Sequence, residues 1–338
     1  EIVLVTGVQT CALPISALKP RAERLVQAGR PLKLALDGVG SLDSFYFSDD
    51  PTVGAAVPIA PGEVEVSVRA VGLNFRDILI AMGEMSDNYL GNECAGVVTQ
   101  VGEGVTHVSV GDRVAVWCLG CFATLMRNPA DTVMRIPDDM DFVTAAGFPI
   151  IYVTAYYALV HLARMQAGES ILIHAAAGGV GQAAIQIAQR LGAEVYVTVG
   201  TGEKKTHIME LFGIPAERIF SSRDVSFEAG VKRVTAGRGV DVVLNSLAGE
   251  SLRASWRCVA PFGRFVELGK RDIEAGGRLD MAPFVRNVVF ASVDITAMLR
   301  LNRRLGSAMF REAMEMGMQI RDEDRKSTRL NSSHQYYL

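Results

Sequence analysis

Residues 171–199 constrain this chain more than any other stretch. A short apolar run, Ile171-Leu172-Ile173-His174, leads into Ala175-Ala176-Ala177-Gly178-Gly179-Val180-Gly181. An apolar-periodic stretch then runs to Leu191, Gly192 stops it, and a second apolar run occupies Val195–Val199. Strand, glycine turn, helix and strand in that order is the unit that seats a dinucleotide's pyrophosphate on a helix N-terminus. Gly178 and Gly179 let backbone approach the phosphates, and Gly181 lets the helix pack closely on the strand. The unpaired N–H groups and positive end of the helix favour an anion. Ala176 stands where G-x-G-x-x-G has its first glycine. A glycine cluster also serves in ordinary turns; the strand–helix context is what points to a cofactor. The candidate residues at the turn are Ala176, Gly178, Gly179, Val180 and Gly181.

An NAD-binding unit carries an acid about 20 residues beyond the glycines, for the ribose 2′-hydroxyl. Here the second run ends in Gly200-Thr201-Gly202-Glu203-Lys204-Lys205. No carboxylate ends the strand, small residues such as Thr201 leave room for a 2′-phosphate, and Lys204 offers it a charge-assisted bond. Glu203 also reads as a first-turn acid favoured by the helix dipole, and the lysines as solvated surface. The balance points to NADPH, with Lys204 the phosphate contact.

With 338 residues and 49% hydrophobic content, the chain can bury a sizeable core in two domains. A net charge of −3 gives no reason to expect nucleic acid or an anionic membrane as partner. No apolar run reaches the ~18 residues of a membrane-spanning helix. Five scattered cysteines suit a reducing, cytoplasmic compartment.

Residues 1–16 and 326–338 resemble translated adapter sequence and are left out of the fold expectation. Residues 17–140 read as a strand-rich domain. Val64, Val66 and Val68 alternate after a Pro61-Gly62 turn, short apolar runs follow, and only Phe75–Met82 suggests a helix. Residues 141–300 alternate helix and strand, with strands expected at Ile171–Ala175, Val195–Val199, Arg218–Phe220, Asp241–Asn245, Arg264–Leu268 and Val288–Val293. A Pro261-Phe262-Gly263 turn is expected between the last helix and the Arg264 strand. This alternation predicts an α/β fold with a doubly wound parallel sheet. Residues 301–325 read as the start of a truncated helical segment.

Ligands of an open parallel sheet gather outside the carboxyl ends of its strands. Lys270 and Asp294 read as the only ionisable residues directly after apolar strands on this rim. An acceptor that becomes an enolate needs a cation or proton donor, a role Lys270 fits with Asp294 orienting it. A plain salt bridge, or two unconnected rim residues, stays open on these grounds. No metal is expected. Cys118-Leu119-Gly120-Cys121 is a lone CxxC, the histidines are scattered, Asn92 stands where a histidine ligand would sit, and Cys94 reads as packing.

Five motifs in order carry a family resemblance. They are Val71–Asp77, the Ala175–Gly181 turn, Ser221–Asp224, Val243–Glu250 and Gly263–Lys270. Over about Pro31 to Gly317 the chain resembles the enoyl reductase domain of type I polyketide synthases, above all the highly reducing fungal ones. These belong to the zinc-free branch of the medium-chain dehydrogenase/reductase superfamily. The resemblance implies a GroES-like domain beside a Rossmann domain, with the active site between them. It implies NADPH-dependent reduction of an α,β-unsaturated acyl thioester on an acyl carrier protein, hydride going to the β-carbon and a proton to the α-carbon. It matches Lys204 to a 2′-phosphate contact, and Lys270 and Asp294 to a proton-donating pair. It places Asn74, Thr154 and Asn245 about the nicotinamide, with Leu268 a further cofactor-binding residue. Other domains of a multidomain synthase become expected partners, with a homodimer formed through the parent protein.

The family's chain returns to the GroES-like domain after the Rossmann unit. Nothing resembling that segment follows Gly317, so an unpaired sheet edge is expected. A free-standing NADPH:quinone reductase, and an inactive cofactor-binding module, are the competing readings.

Overall fold

The computed structural model describes residues 3–6 and 21–326, apart from 26, 28, 39, 86 and 88. The adapter-like tail expected at 326–338, past Lys326, residues 1–2 and 7–16 of the leading stretch, and residues 17–20 lie outside the described residues. Two compact units divide the chain, Glu1–Ile150 and Ile151–Leu338.

In the first unit, β1 (Val3–Thr6) pairs antiparallel with β2 (Arg21–Arg24), so four residues of the leading stretch do form structure. A second hairpin joins β3 (Leu32–Leu36) and β4 (Phe45–Asp49). The main sheet is antiparallel: β5 (Glu63–Val71), β6 (Glu93–Val101), β7 (Arg113–Trp117), β8 (Leu125–Pro129) and β9 (Val133–Arg135), in the order β8-β5-β6-β7-β9. The edges of this sheet are therefore β8 and β9. The alternation of β5 places Val64 and Val66 in a valine-rich core with Val98, Val114 and Val116. Glu65, on the opposite face, is buried too, because Arg127 pairs with it and the Gly54 N–H donates to it. The expected helix is α1 (Phe75–Ala81), and α2 (Phe142–Ala146) packs on β5, β6 and β7.

The helix α3 (Pro149–Tyr156) continues as a π-helical turn, Tyr157–Leu162, and leads into the second sheet. Its strands are β10 (Ser170–Ile173), β11 (Glu194–Val199), β12 (Ile219–Ser221), β13 (Val240–Asn245), β14 (Val259–Glu267) and β15 (Val289–Ser292). All pair in parallel, in the order β12-β11-β10-β13-β14-β15. Counted from β10 that order is 3-2-1-4-5-6, the doubly wound dinucleotide-binding topology. The helices between strands are α4 (Gly179–Arg190), α5 (Gly202–Phe212), α6 (Ser226–Val234) and α7 (Glu250–Arg257). Trp256, Phe265 and Phe290 stack into one apolar cluster against β14.

One detail differs from the sequence expectation. The Pro261-Phe262-Gly263 turn lies inside β14, as an irregularity in its pairing with β13. Phe262 has φ +63°, and a Cβ on Gly263 would sit 2.5 Å from Val259 and 2.8 Å from the Ala260 carbonyl. The reversal is therefore absorbed as a bulge, not as a break. After β15, α8 (Arg271–Glu274) having preceded it, come α9 (Ile295–Leu301) and the 24-residue α10 (Arg303–Lys326). Phe310, Ala313 and Met314 form its buried stripe. No described helix is long and apolar enough to cross a membrane.

Candidate active site

The glycine turn has the geometry its residue types require. A Cβ on Gly181 would lie 2.6 Å from both the Ala175 carbonyl oxygen and the Ala176 Cα. Only glycine lets α4 approach the turn that closely. A Cβ on Gly179 would lie 2.9 Å from Ile151. Gly178 is the N-cap and carries no capping side chain, so the first N–H groups of α4 are left for an anion. The left-handed residue of the turn is Ala175, at φ +50°, while Ala176 is fully buried with its N–H on the Thr198 carbonyl at 3.1 Å. Ala176 is accommodated in the first-glycine slot because the positive φ falls one residue earlier.

At the end of β11, Thr201 caps α5, its hydroxyl accepting from the Lys204 N–H at 3.3 Å. Lys204 is exposed in the first turn of that helix. A basic residue that sequence reasoning did not assign lies nearby: Arg223 Nε donates to the Gly200 carbonyl at 3.0 Å. Its signal was present in the Ser221–Asp224 motif, but its place beside β11 follows from the pairing of β11 with β12.

Further along the rim, Lys270 Nζ lies 2.8 Å from Asp294 Oδ2 and donates to the Val293 carbonyl at 3.1 Å. The two side chains, 24 positions apart in sequence, form one ion pair that is 29% and 45% exposed. Asp294 also caps α9, accepting from the Ala297 N–H at 2.8 Å. Burial opposes its charge, but the Ala297 N–H and the Lys270 ammonium outweigh that and hold the carboxyl below its usual range. Of the readings drawn from the sequence, two unconnected rim residues is set aside, because the two side chains form an ion pair.

Lys270 and Asp294 are not the only ionisable groups on the rim. Glu267, read in sequence as strand interior, is the last residue of β14 and 1% exposed. It accepts from Asn245 Nδ2 at 2.6 Å and from the Gly269 N–H. Burial pushes its carboxyl up to about 7, against those two bonds. The signal was an acid within the apolar run Phe265-Val266-Glu267-Leu268. Asn245 Oδ1 is the buried side-chain acceptor left without a partner among the described residues. A buried orphan acceptor at a strand end fits a ligand that brings an amide N–H. Leu268, half-buried, continues the rim with its N–H on the Asn245 carbonyl.

Asn74 and Thr154 lie in different units. Asn74 precedes α1, where its Nδ2 donates to Glu93 Oε1 at 2.9 Å; Thr154 is buried in α3. Glu93, another residue that sequence reasoning left without a role, also accepts from the Ile150 N–H at 2.8 Å. Burial pushes its carboxyl up to about 8 against those bonds. Its folded pKa exceeds its unfolded value, so its contribution to stability is complete below about pH 4.5 and is lost as pH rises through 8. At about 1.4 kcal/mol per pH unit, Glu93→Gln is expected to shrink the stability lost between roughly pH 6 and 8 by about 2 kcal/mol. Urea unfolding at the two pH values measures this, and an unchanged loss would refute it.

A zinc-ligand set does not form around Gly91-Asn92-Glu93. Asn92 Nδ2 donates to Asp77 Oδ1 at 3.3 Å, and the Glu93 carboxylate is committed to Asn74 and Ile150. The lone CxxC, in contrast, does not stand alone. Cys94, Cys118 and Cys121 are all fully buried, with their Sγ atoms within 4.8 Å of one another.

A doubly wound parallel α/β unit with a glycine turn and an antiparallel GroES-like unit in one chain define a medium-chain dehydrogenase/reductase. Residues 60–138 match the alcohol dehydrogenase GroES-like domain and 179–317 the zinc-binding dehydrogenase family. The chain is 46% identical over 308 residues to the highly reducing polyketide synthase tstA of Talaromyces stipitatus, covering 91% of this chain and 12% of that protein. It is 51% identical over 270 residues to highly-reducing polyketide synthase 1 of Aureobasidium melanogenum, covering 80% of this chain and 12% of that one. Among solved structures, CurK enoyl reductase is similar at 34% identity and TM-score 0.74, with 89% of each chain covered. The chain belongs to the enoyl reductase family of polyketide synthases.

Proposed function

We propose that the chain reduces the α,β-double bond of an acyl thioester held on an acyl carrier protein, with NADPH as the reductant. The observation that carries this reading is the Lys270–Asp294 ion pair, on the same sheet rim as the glycine turn. NADPH, when bound, supplies a hydride for the β-carbon. The α4 N-terminus with Ala176, Gly178, Gly179, Val180 and Gly181 would hold its pyrophosphate. Lys204 and Arg223, near Gly200-Thr201, would take the 2′-phosphate. Asn245 Oδ1, the buried acceptor without a partner among the described residues, would accept from the carboxamide of the nicotinamide, with Leu268 next to it on the rim.

Lys270 delivers the proton to the α-carbon. Asp294, with its carboxyl held below the usual range, is ionised at neutral pH and has no proton to give. Its part is to hold the Lys270 ammonium in place as enolate charge develops. The acyl carrier protein and the other catalytic domains of a synthase are the partners this substrate requires, and the parent protein supplies any dimer contact.

The deciding comparison is NADPH oxidation with a crotonyl thioester against oxidation with a quinone. Thioester turnover supports the reading. Turnover of the quinone alone overturns it in favour of a quinone reductase, and NADPH binding without turnover favours an inactive module. The cofactor assignment has its own test. Each charge-assisted bond is worth about 1.5–3 kcal/mol. Lys204→Ala with Arg223→Ala is therefore expected to raise the NADPH Kd by about 10²-fold or more while leaving NADH nearly untouched. An equal effect on both would remove the 2′-phosphate site.

A further inference from the structure

The three buried thiols of the first unit are unused by the proposed reaction. They reach one point from three places in the chain. Cys94 lies in β6, Cys118 directly follows β7, and Cys121 follows the left-handed Gly120 at φ +79°. Cys94 pairs with Val116 across the two strands, which brings Cys118 alongside. A fourth sulfur joins from β8, because Cys94 Sγ is 3.3 Å from Met126 Sδ. A Cβ on Gly91 would lie 2.9 Å from Cys121 Sγ, so the glycine leaves room for that thiol.

The surroundings are valine. Free cysteine packs as a small hydrophobe, but packing alone gives sulfur no reason to converge on sulfur. A set of thiols and a thioether without nitrogen or carboxylate donors selects soft cations. Zinc takes four nitrogen, thiolate or carboxylate ligands, and the thioether is a poor fourth. Monovalent copper accepts thiolates in low coordination and a thioether beside them. Cys118 and Cys121 bind it as thiolates, releasing two protons with no change in oxidation state, while Cys94 stays a protonated thiol beside Met126 as a weaker sulfur contact. This leaves only a single negative charge in a dry pocket, where each further charge is costly.

We propose that Cys94, Cys118 and Cys121, supported by Met126, form a binding site for a soft monovalent cation of the copper(I) class. The site lies directly behind Glu93, the residue that holds Asn74, so an occupied site ties β6, β7 and β8 together at that point. The three thiols are fully buried, so the ion enters while the unit folds or opens.

The test uses the full chain with Cys11→Ser and Cys258→Ser, so that no other thiol contributes. Protein refolded without oxygen in the presence of copper(I) is dialysed against a copper(I)-selective chelator, and the metal is counted by mass spectrometry. The expected result is one copper per chain, a sulfur-to-copper ultraviolet band, and a raised melting temperature. Cys118→Ala and Cys121→Ala should each lose the metal, and Met126→Leu should weaken its retention about tenfold. If the alanine variants fold poorly, Cys118→Val fills the same space and is read by circular dichroism as well as by metal content. No retained copper in the parent protein overturns the site. So does retention unchanged by the Cys118 and Cys121 substitutions, preferential retention of zinc, or a Cys118–Cys121 disulfide in protein kept under reductant.

Discussion

Lys270→Met is expected to lower kcat for enoyl-thioester reduction by 10²-fold or more, with NADPH affinity little changed. The size follows from the range of general acid catalysis, roughly 10²–10⁴, and from the lack of a second donor at the pair. Asp294 is 2.8 Å away, but in the variant its carboxylate still accepts from the Ala297 N–H that caps α9, which favours the ionised form. Methionine keeps the length and the apolar stem of the side chain and removes the proton. Asp294→Asn should show a smaller fall, because asparagine still caps α9 and accepts from Lys270 without the charge. Asp294→Ala also loses the cap, at about 1 kcal/mol of stability. Steady-state kinetics with the thioester, beside NADPH titration and thermal melting, separates these effects. A Lys270→Met protein with undiminished kcat would sink the proton-donor assignment.

Gly181→Val is expected to destabilise the second unit and abolish tight NADPH binding. The clash is with backbone: Ala175 O and Ala176 Cα at 2.6 Å and Ala176 C at 2.8 Å. No flexible side chain can yield, so α4 must shift off the turn. Overpacking of this kind costs about 1–3 kcal/mol, and more when backbone has to move. Moving α4 also withdraws the N–H groups that would face the pyrophosphate. Gly178→Ala is the contrast. Its Cβ would meet only the Ala175 carbonyl, at 3.3 Å, and its φ of −80° suits any residue. That variant should melt close to the parent, and a weakened NADPH affinity in it would report on the phosphate approach alone. Equal destabilisation of both variants would show that the close approach of α4 does not depend on Gly181.

Much of the second unit was legible because its signals are local. The apolar runs of 4–6 residues, the glycines and the helix periodicity between them each reside within one element. Strand ends could then be read off as a rim, and Lys270, Asp294, Lys204 and Asn245 all fall on it. Glu267 escaped because its role depends on where β14 ends, and strand ends are weakly specified by composition. The same holds for β14 itself. Pro261, Phe262 and Gly263 are turn residues by type, and only pairing with β13 keeps them inside the strand. In the first unit, Glu65 and Glu93 look like ordinary strand acids. Arg127 from β8 buries one, and Asn74 and Ile150 hold the other.

By itself the sequence determined the parallel α/β unit, the close-packed glycine turn at the start of α4 and the basic residues that follow β11. Each of these rests on periodicity or on a backbone conformation that a single short segment encodes. Tertiary structure decided which residues meet. Lys270 reaches Asp294 because β14 and β15 lie side by side, Arg223 reaches Gly200 because β12 adds to β11, and Cys94 reaches Cys118 and Cys121 through the register of β6 on β7. Strand order and register are set by the burial of whole faces, an energy no local segment carries, so these meetings could be expected only as neighbours on a rim and not as bonds.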